Sequence, residues 1–259
     1  MGTLDRAYRT CATGFCFATF GAGGLAIALV VLPLLFLIPR AEQRHRLARI
    51  LIRQLFRFFV ALMSATGVLR LTVHDAARLG GRGRFILANH PSLIDVVILM
   101  SLVEQPDCIV KSALWRNPFT WGAVKTAGFI DNQTGPELVA AALDSLRAGN
   151  NLIVFPEGTR TRPGAPLSFQ RGAANIAARG RVDLTPVIFT VSEPTLTKGY
   201  PWYRVPRRRP QFSVHVLPVV PIEPLLASEP AHVHRARWLT EWLEEFFTME
   251  IARHGPPAG

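Results

Sequence analysis

With 259 residues the chain is long enough for one large domain with a sizeable core, and 29 Lys and Arg against 18 Asp and Glu leave a formal charge of +11. That excess implies an acidic partner, with nucleic acid and anionic membrane as the two candidates. The three cysteines, Cys11, Cys16 and Cys108, show neither a disulfide framework nor a zinc spacing, which excludes a stapled secreted scaffold and fits a reducing compartment.

In chain order, Met1 to Arg9 reads as a disordered end. Thr10 to Pro39 then carries no charged residue and is almost wholly aliphatic from Leu25 to Ile38, long enough to cross about 30 Å of hydrocarbon. An h-region of a signal peptide is shorter, and no small-residue cleavage site follows before Arg40. Pro33 and the glycines at 21, 23 and 24 allow a bend, so monotopic insertion stays open beside a spanning anchor. Arg46, Arg49, Arg53 and Arg57 next recur at spacings of three and four, with Leu47, Ile50, Leu51, Leu55, Phe58 and Phe59 as the apolar surface; this is the pattern of an interfacial helix on lipid phosphates, or of a core-packed helix with a solvated basic face. More arginine after the apolar run than before it places the rest of the chain on the cytoplasmic side. The expected organisation is a membrane-anchoring segment over residues 1–71 and an α/β domain over 72–259.

Beyond Leu71, strands are expected at Arg84–Ala88, Asp107–Lys111, Gly128–Asp131, Asn151–Phe155, Leu184–Val191 and Phe212–Val220. Helices fit between them at Ser92–Val103, Pro136–Ala148 and Phe169–Arg179, with a last amphipathic one through Trp238, Trp242, Leu243, Phe246 and Phe247. Such alternation predicts an α/β fold with a mixed, largely parallel sheet flanked by helices. The end of the chain, Gly-Pro-Pro-Ala-Gly, reads as disordered.

Two loops carry the chemistry. In Asn89-His90-Pro91-Ser92-Leu93-Ile94-Asp95, Ser92 and Asp95 loosely fit a capping box, and Pro91 and Asn89 suit a helix start and a turn. Neither a cap nor a turn needs imidazole. At the carboxyl end of a strand, where open α/β sheets place ligands, Asp95 could hold one ring nitrogen of His90 and leave the other as a base. The second loop, Pro156-Glu157-Gly158-Thr159-Arg160, also follows a buried strand. Gly158 supplies a positive φ, and Glu157 with Arg160 reads either as a surface ion pair or, with Arg162 and Arg171 near, as part of a phosphate site.

Together these motifs resemble the glycerolipid acyltransferase family that includes the 1-acylglycerol-3-phosphate acyltransferases. Asn89, His90 and Asp95 match N-H-x-x-x-x-D, Phe155 to Arg160 match F-P-E-G-T-R, Leu184 to Val187 resemble the late T-P strand, and Lys111 sits where that family often has lysine. The resemblance implies a glycerol-3-phosphate acyltransferase-like fold with N-terminal membrane-binding helices. It also implies transfer of a fatty acyl group from acyl-CoA or acyl carrier protein to a lysolipid hydroxyl, with His90 as general base oriented by Asp95. It assigns substrate binding to Asn89, Lys111, Glu157, Gly158, Thr159 and Arg160, and needs no metal or resident cofactor. One position departs: Gly128-Phe129-Ile130-Asp131-Asn132 ends in Asn where the family often has Arg, so the acceptor's phosphate falls to Arg160 and its neighbours, or the acceptor is another lysolipid.

The competing readings are a non-enzymatic binder of anionic lipid, which would need the arginines but not the acid–base pair, and a hydrolase. Nucleic acid is the least favoured partner, because the basic loop Arg204, Arg207, Arg208, Arg209 lies beside Trp202, Tyr203 and Pro206 and reads as a second membrane contact. Cys108 is expected in the core, His74 and His215 have no recognisable partners, and His232 with His234 is a poor metal pair. The expected location is a bacterial inner membrane, with the catalytic domain on the cytoplasmic face.

Overall fold

Four consecutive buried residues, Phe85-Ile86-Leu87-Ala88, form a strand that is covered on both faces, which is the signature of a parallel sheet lying between layers of helices. The computed structural model describes residues 2–116, 121–132, 135–228 and 235–255. Its helices are α1 (Gly2–Ala26), α2 (Leu32–Phe36), α3 (Ala41–Ala65), α4 (Asp95–Leu102), α5 (Ser112–Arg116), α6 (Trp121–Ala127), α7 (Pro136–Arg147), α8 (Arg171–Gly180), α9 (Ile222–Ala227) and α10 (Arg235–His254). The strands are β1 (Arg70–His74), β2 (Phe85–Ala88), β3 (Pro106–Val110), β4 (Ile130–Asp131), β5 (Asn151–Val154), β6 (Leu184–Val191) and β7 (Gln211–Val216). They make one sheet of order β1-β7-β6-β2-β5-β3-β4, parallel throughout except between β6 and β7. This is the mixed, largely parallel sheet expected, and it brings the carboxyl ends of β2, β5, β3 and β4 to one edge.

Alternation along β2 divides the core. Ile86 and Ala88 pack under α3 and α4, while Phe85 and Leu87 pack under α7, α8 and α10. Ala12, Cys16, Ala48, Ile52 and Phe59 of the first helices belong to the former cluster, so these helices share a core with the sheet. β1 begins at Arg70, two residues before the expected α/β boundary.

The N-terminal segment departs from expectation in three ways. Gly2 to Arg9 is helical, and Arg9 is only 2% exposed. The helical run Thr3–Phe36 is 34 residues long, and an 18-residue window within it has a mean hydropathy of 2.2. Pro33 cannot donate a main-chain hydrogen bond, and the turn before it, Ile27–Val31, is a π-helix that absorbs the mismatch. The run is fastened to the domain at both ends. Arg6 Nε donates to the Val205 carbonyl at 3.1 Å, the Phe20 ring lies 4.9 Å from that of Phe59, and Leu32 sits directly over Gly122.

The arginine stripe of α3 is split. Arg46 and Arg57 are exposed and Arg53 is half-buried, but Arg49 is buried against the sheet. Its Nη2 donates to Asp107 Oδ2 at 2.9 Å and its Nε to the Ala127 carbonyl at 3.0 Å. Spacing alone put all four arginines on one face; the burial of Asp107 at the start of β3 draws one of them inward. His74 and His215 are also partnered: they are register neighbours on β1 and β7 with rings stacked at 4.3 Å, and the His254 ring lies 4.3 Å from that of His215. His232 and His234 lie outside the described residues, as do the last four residues of the tail.

Removing one partner of a buried ion pair leaves an uncompensated charge and costs about 3–5 kcal/mol. Arg49→Met, which keeps the bulk of the stem, should therefore lower the urea-unfolding free energy by about that amount, whereas the exposed Arg57→Ala should stay within about 0.5 kcal/mol of wild type.

Candidate active site

β2 ends at Ala88, and the next residue continues the pairing with β6 through its side chain. Asn89 Nδ2 donates to the Phe189 carbonyl at 2.9 Å, and Asn89 Oδ1 accepts from the Phe189 N–H at 2.7 Å. Both ends of the amide are thus used, and Asn89 is 4% exposed. Asn89 thus positions the residue that follows, and it also lines the cavity beside the site.

That residue, His90, is held by its main chain. Its N–H donates to Glu157 Oε1 at 2.6 Å, and its carbonyl accepts from the Thr161 N–H at 3.0 Å. The ring leans on Phe155, with centroids 4.5 Å apart. His90 Nδ1 lies 3.0 Å from Asp95 Oδ2, and the same oxygen accepts the Ser92 N–H at 2.6 Å. With a carboxylate against Nδ1, that nitrogen carries the proton and Nε2 presents its lone pair. Asp95 closes the turn at the start of α4 and holds the histidine ring, whereas the helix receives no side-chain cap, its N-cap being Ile94. α4 begins at Asp95, three residues later than expected, because Ser92 to Ile94 form that turn.

Asp95 is fully buried, and burial is the main force that lifts its carboxyl to about 6, against the hydrogen bond from His90. Glu157 is 5% exposed and lies, chiefly through burial, at about 7, opposed by the His90 N–H. Its other oxygen accepts the Thr161 hydroxyl. Glu157 therefore braces His90 from behind, though it also lines the adjoining cavity. Gly158 has φ +64°, as the turn requires. Thr159 completes this turn, and Arg160 Nη1 donates to the Leu196 carbonyl at 3.0 Å, near enough for its charge to act on Asp95. Leu196 in turn accepts the Leu93 N–H at 3.0 Å, which ties the β6–β7 connection to the His90 loop.

Lys111 and Asn132 follow β3 and β4 at the same sheet edge; both are exposed, and the Asn132 N–H donates to the Val110 carbonyl at 2.9 Å. Cys108 is buried, and burial with the neighbouring Asp107 pushes its thiol up to about 12, which removes it as a nucleophile. Two residues beyond the motifs matter. Thr161 is next to the second motif in sequence but has no signal of its own, and Leu196, with φ +51°, contributes only a carbonyl.

Two cavities adjoin the pair. One of about 770 Å³ lies beyond β6, lined among others by Glu157, Thr161, Arg162, Glu244 and Met249. The other is almost wholly apolar and lies between the first helices and the sheet; Val96 and Met100 of α4, Ile27, Phe56, Cys108 and Phe129 are among its walls.

Residues 70–190 match the family model described as Acyltransferase. It is 34% identical over 113 residues to a putative 1-acyl-sn-glycerol-3-phosphate acyltransferase of Caenorhabditis elegans, covering 40% of each protein. It is 31% identical over 112 residues to the 1-acyl-sn-glycerol-3-phosphate acyltransferase of Helicobacter pylori, covering 40% of this chain and 47% of that protein. Against the chloroplastic 1-acyl-sn-glycerol-3-phosphate acyltransferase of Arabidopsis thaliana it is 28% identical over 106 residues, covering 39% and 30%. The match thus spans less than half the length of each of these relatives. The crystal structure of the 1-acyl-sn-glycerophosphate acyltransferase PlsC from Thermotoga maritima superposes with a TM-score of 0.68 over 97% of this chain and 98% of that one, at 19% identity, which establishes a shared fold.

Glu157 carries a folded-state pKa above its ordinary value of 4.5. The stability it lends is therefore complete below about pH 4.5 and is lost as pH rises through about 7, a change of about 3 kcal/mol. Glu157→Gln keeps an oxygen for the His90 N–H and should flatten the upper part of the fall in unfolding free energy between pH 5 and 8. An unchanged slope in urea titrations would mean that another group carries it.

Proposed function

We propose that this chain is a membrane-associated O-acyltransferase that moves a fatty acyl group from a thioester donor, acyl-CoA or acyl carrier protein, to a hydroxyl of a lysolipid. The observation that carries this reading is the contact of His90 with the fully buried Asp95 at 3.0 Å. The names of the relatives point to 1-acylglycerol 3-phosphate as the acceptor.

His90 Nε2 takes the proton from the acceptor hydroxyl, and the oxygen attacks the thioester carbonyl. Asp95 stabilises the imidazolium that forms. The tetrahedral intermediate then collapses with cleavage of the carbon–sulfur bond, and the leaving sulfur takes the proton from His90, so that ester and thiol are released without a covalent enzyme intermediate. The apolar cavity walled by Val96 and Met100 suits the donor's acyl chain, because those residues belong to the helix that starts at Asp95. Arg160, with one Nη1 contact to a carbonyl and the rest of its guanidinium unengaged among the described residues, suits the acceptor's phosphate. Lys111 at the same sheet edge suits the phosphates of the donor.

Membrane association rests on the apolar surface of α1 to α3, where Leu25, Leu29, Val30, Leu34, Leu37, Ile50 and Phe58 are exposed. A run fastened to the domain at both ends favours a monotopic arrangement, lying in the interface, over a span that leaves the domain.

His90→Ala should reduce turnover about 100- to 10,000-fold while leaving folding and membrane binding intact. Near-normal transfer, measured by mass spectrometry of the lipid products, would remove the general-base assignment. Arg160→Ala should raise KM for lysophosphatidate about thirtyfold, the loss of one charge-assisted contact of about 2 kcal/mol, and Arg160→Lys should recover only part of it. If competition between phosphorylated and neutral acceptors is unchanged in both variants, the phosphate lies elsewhere.

A further inference from the structure

The acyl-transfer scheme does not use the loop from Trp202 to Arg209, between β6 and β7. Its conformation is set from inside by Arg9. That guanidinium donates to three successive carbonyls, Pro206 at 2.9 Å, Arg207 at 2.7 Å and Arg208 at 3.1 Å, while its Nε is held by Asp5 at 3.0 Å. Arg209 also turns inward, with Nε donating to the Leu69 carbonyl at 2.8 Å. With three carbonyls gathered on one buried cation, the side chains of Arg207 and Arg208 are left exposed.

Beside them the loop presents aromatic rings. Trp202 packs on Gly14 and lies 6.1 Å from the Phe17 ring of α1, yet remains 47% exposed; Tyr203 is 60% exposed. Arg204 lies over the Tyr200 ring at 4.0 Å. Among the described residues, none of Arg204, Arg207 and Arg208 has an ion-pair partner. On α1 itself, Leu4, Tyr8 and Phe15 recur at spacings of four and seven and stand exposed, away from the face that Arg6 and Arg9 give to the loop.

We propose that this loop is a contact for anionic phospholipid, in which Trp202 and Tyr203 enter the boundary between headgroups and acyl chains while Arg207 and Arg208 meet lipid phosphates. The site rests on the membrane association proposed above and adds its chemical selectivity. Charge complementarity identifies the occupant as an anionic bilayer: among the described residues, arginines without an ion-pair partner flank amphipathic rings on an exposed surface continuous with an apolar helix. Arg9 acts as a positioning residue, keeping the arginines outward before the lipid arrives.

The test uses the full chain and two kinds of vesicle, phosphatidylcholine alone and phosphatidylcholine with phosphatidylglycerol. Arg207→Gln/Arg208→Gln should weaken sedimentation with the anionic vesicles about thirtyfold. It should leave binding to neutral vesicles and transfer in detergent micelles unchanged, and high salt should erase the difference. Quenching of tryptophan fluorescence by brominated lipid should be smaller in Trp202→Phe than in wild type. Equal binding of the double variant and wild type to anionic vesicles overturns the proposal, and so does effective competition by inorganic phosphate. Should wild type bind neither vesicle, the membrane reading itself fails; should wild type bind while the double variant binds equally well, only the loop assignment fails.

Discussion

The loops after β2 and β5 are fastened to each other through the main chain of His90. Its N–H reaches Glu157 at 2.6 Å and its carbonyl receives the Thr161 N–H at 3.0 Å, so one loop more than sixty residues away holds this residue at both its N–H and its carbonyl. Side-chain orientation then requires one further contact, Nδ1 to Asp95. Hydrogen bonds to charged groups contribute about 1.5–3 kcal/mol each, more than neutral ones. The first anchor, Asn89 on Phe189, lies on β6, so three adjacent strands of the sheet converge on a single imidazole. This is how a rigid sheet edge holds the histidine without a covalent or metal link.

The same arrangement sets function against stability. A general base needs Asp95 ionised, so that the imidazolium is stabilised as it forms. Burial opposes that ionisation and lifts the carboxyl to about 6, and Glu157 to about 7. Two carboxyl groups close together in one dry corner resist losing both protons, and each is eased by the N–H groups that face it, Asp95 also by the His90 ring and the Arg160 charge. In the proposed reaction the ionised form of Asp95 is the working form, while the fold is more stable when these groups are protonated. The two buried carboxyl groups thus oppose stability as pH rises, and the main-chain hydrogen bonds of His90 hold the site in place.

Much of this was legible in the sequence, for physical reasons that differ by element. Leu184–Val191 was legible to the residue, because its apolar and β-branched residues, buried almost throughout, give way sharply to Ser192 and Glu193. The His90–Asp95 pair was legible because an imidazole has no place in a cap or a turn. β1 was missed because Arg70-Leu71-Thr72-Val73-His74 alternates on an edge strand, where every second residue faces out and the apolar content stays low. Arg49 was placed on the wrong side because periodicity records where a side chain points and not what waits for it; Asp107 is fifty-eight residues away. Arg9 was read as part of a loose end for the same reason, since its partners are carbonyls, which any residue supplies. Contacts made to main-chain atoms leave no pattern in the side chains.

α4 links the two halves of the proposed reaction. Its first residue, Asp95, addresses His90, and one and five residues later Val96 and Met100 wall the apolar cavity beneath α1 and α3. An acyl chain in that cavity would run along a helix whose amino end carries the acid of the pair, so that the depth of the chain and the position of its carbonyl are set by the same element. The cavity is closed on its far side by Ile27 and Ala28 of the π turn and by Leu32, which lies over Gly122. These residues belong to the run that also presents the exposed apolar surface. If the cavity takes an acyl chain and that surface meets lipid, as proposed above, the attachment of the run at both ends, through Arg6 and Arg9 at one and Leu32 at the other, would keep the cavity closed while the surface meets the bilayer.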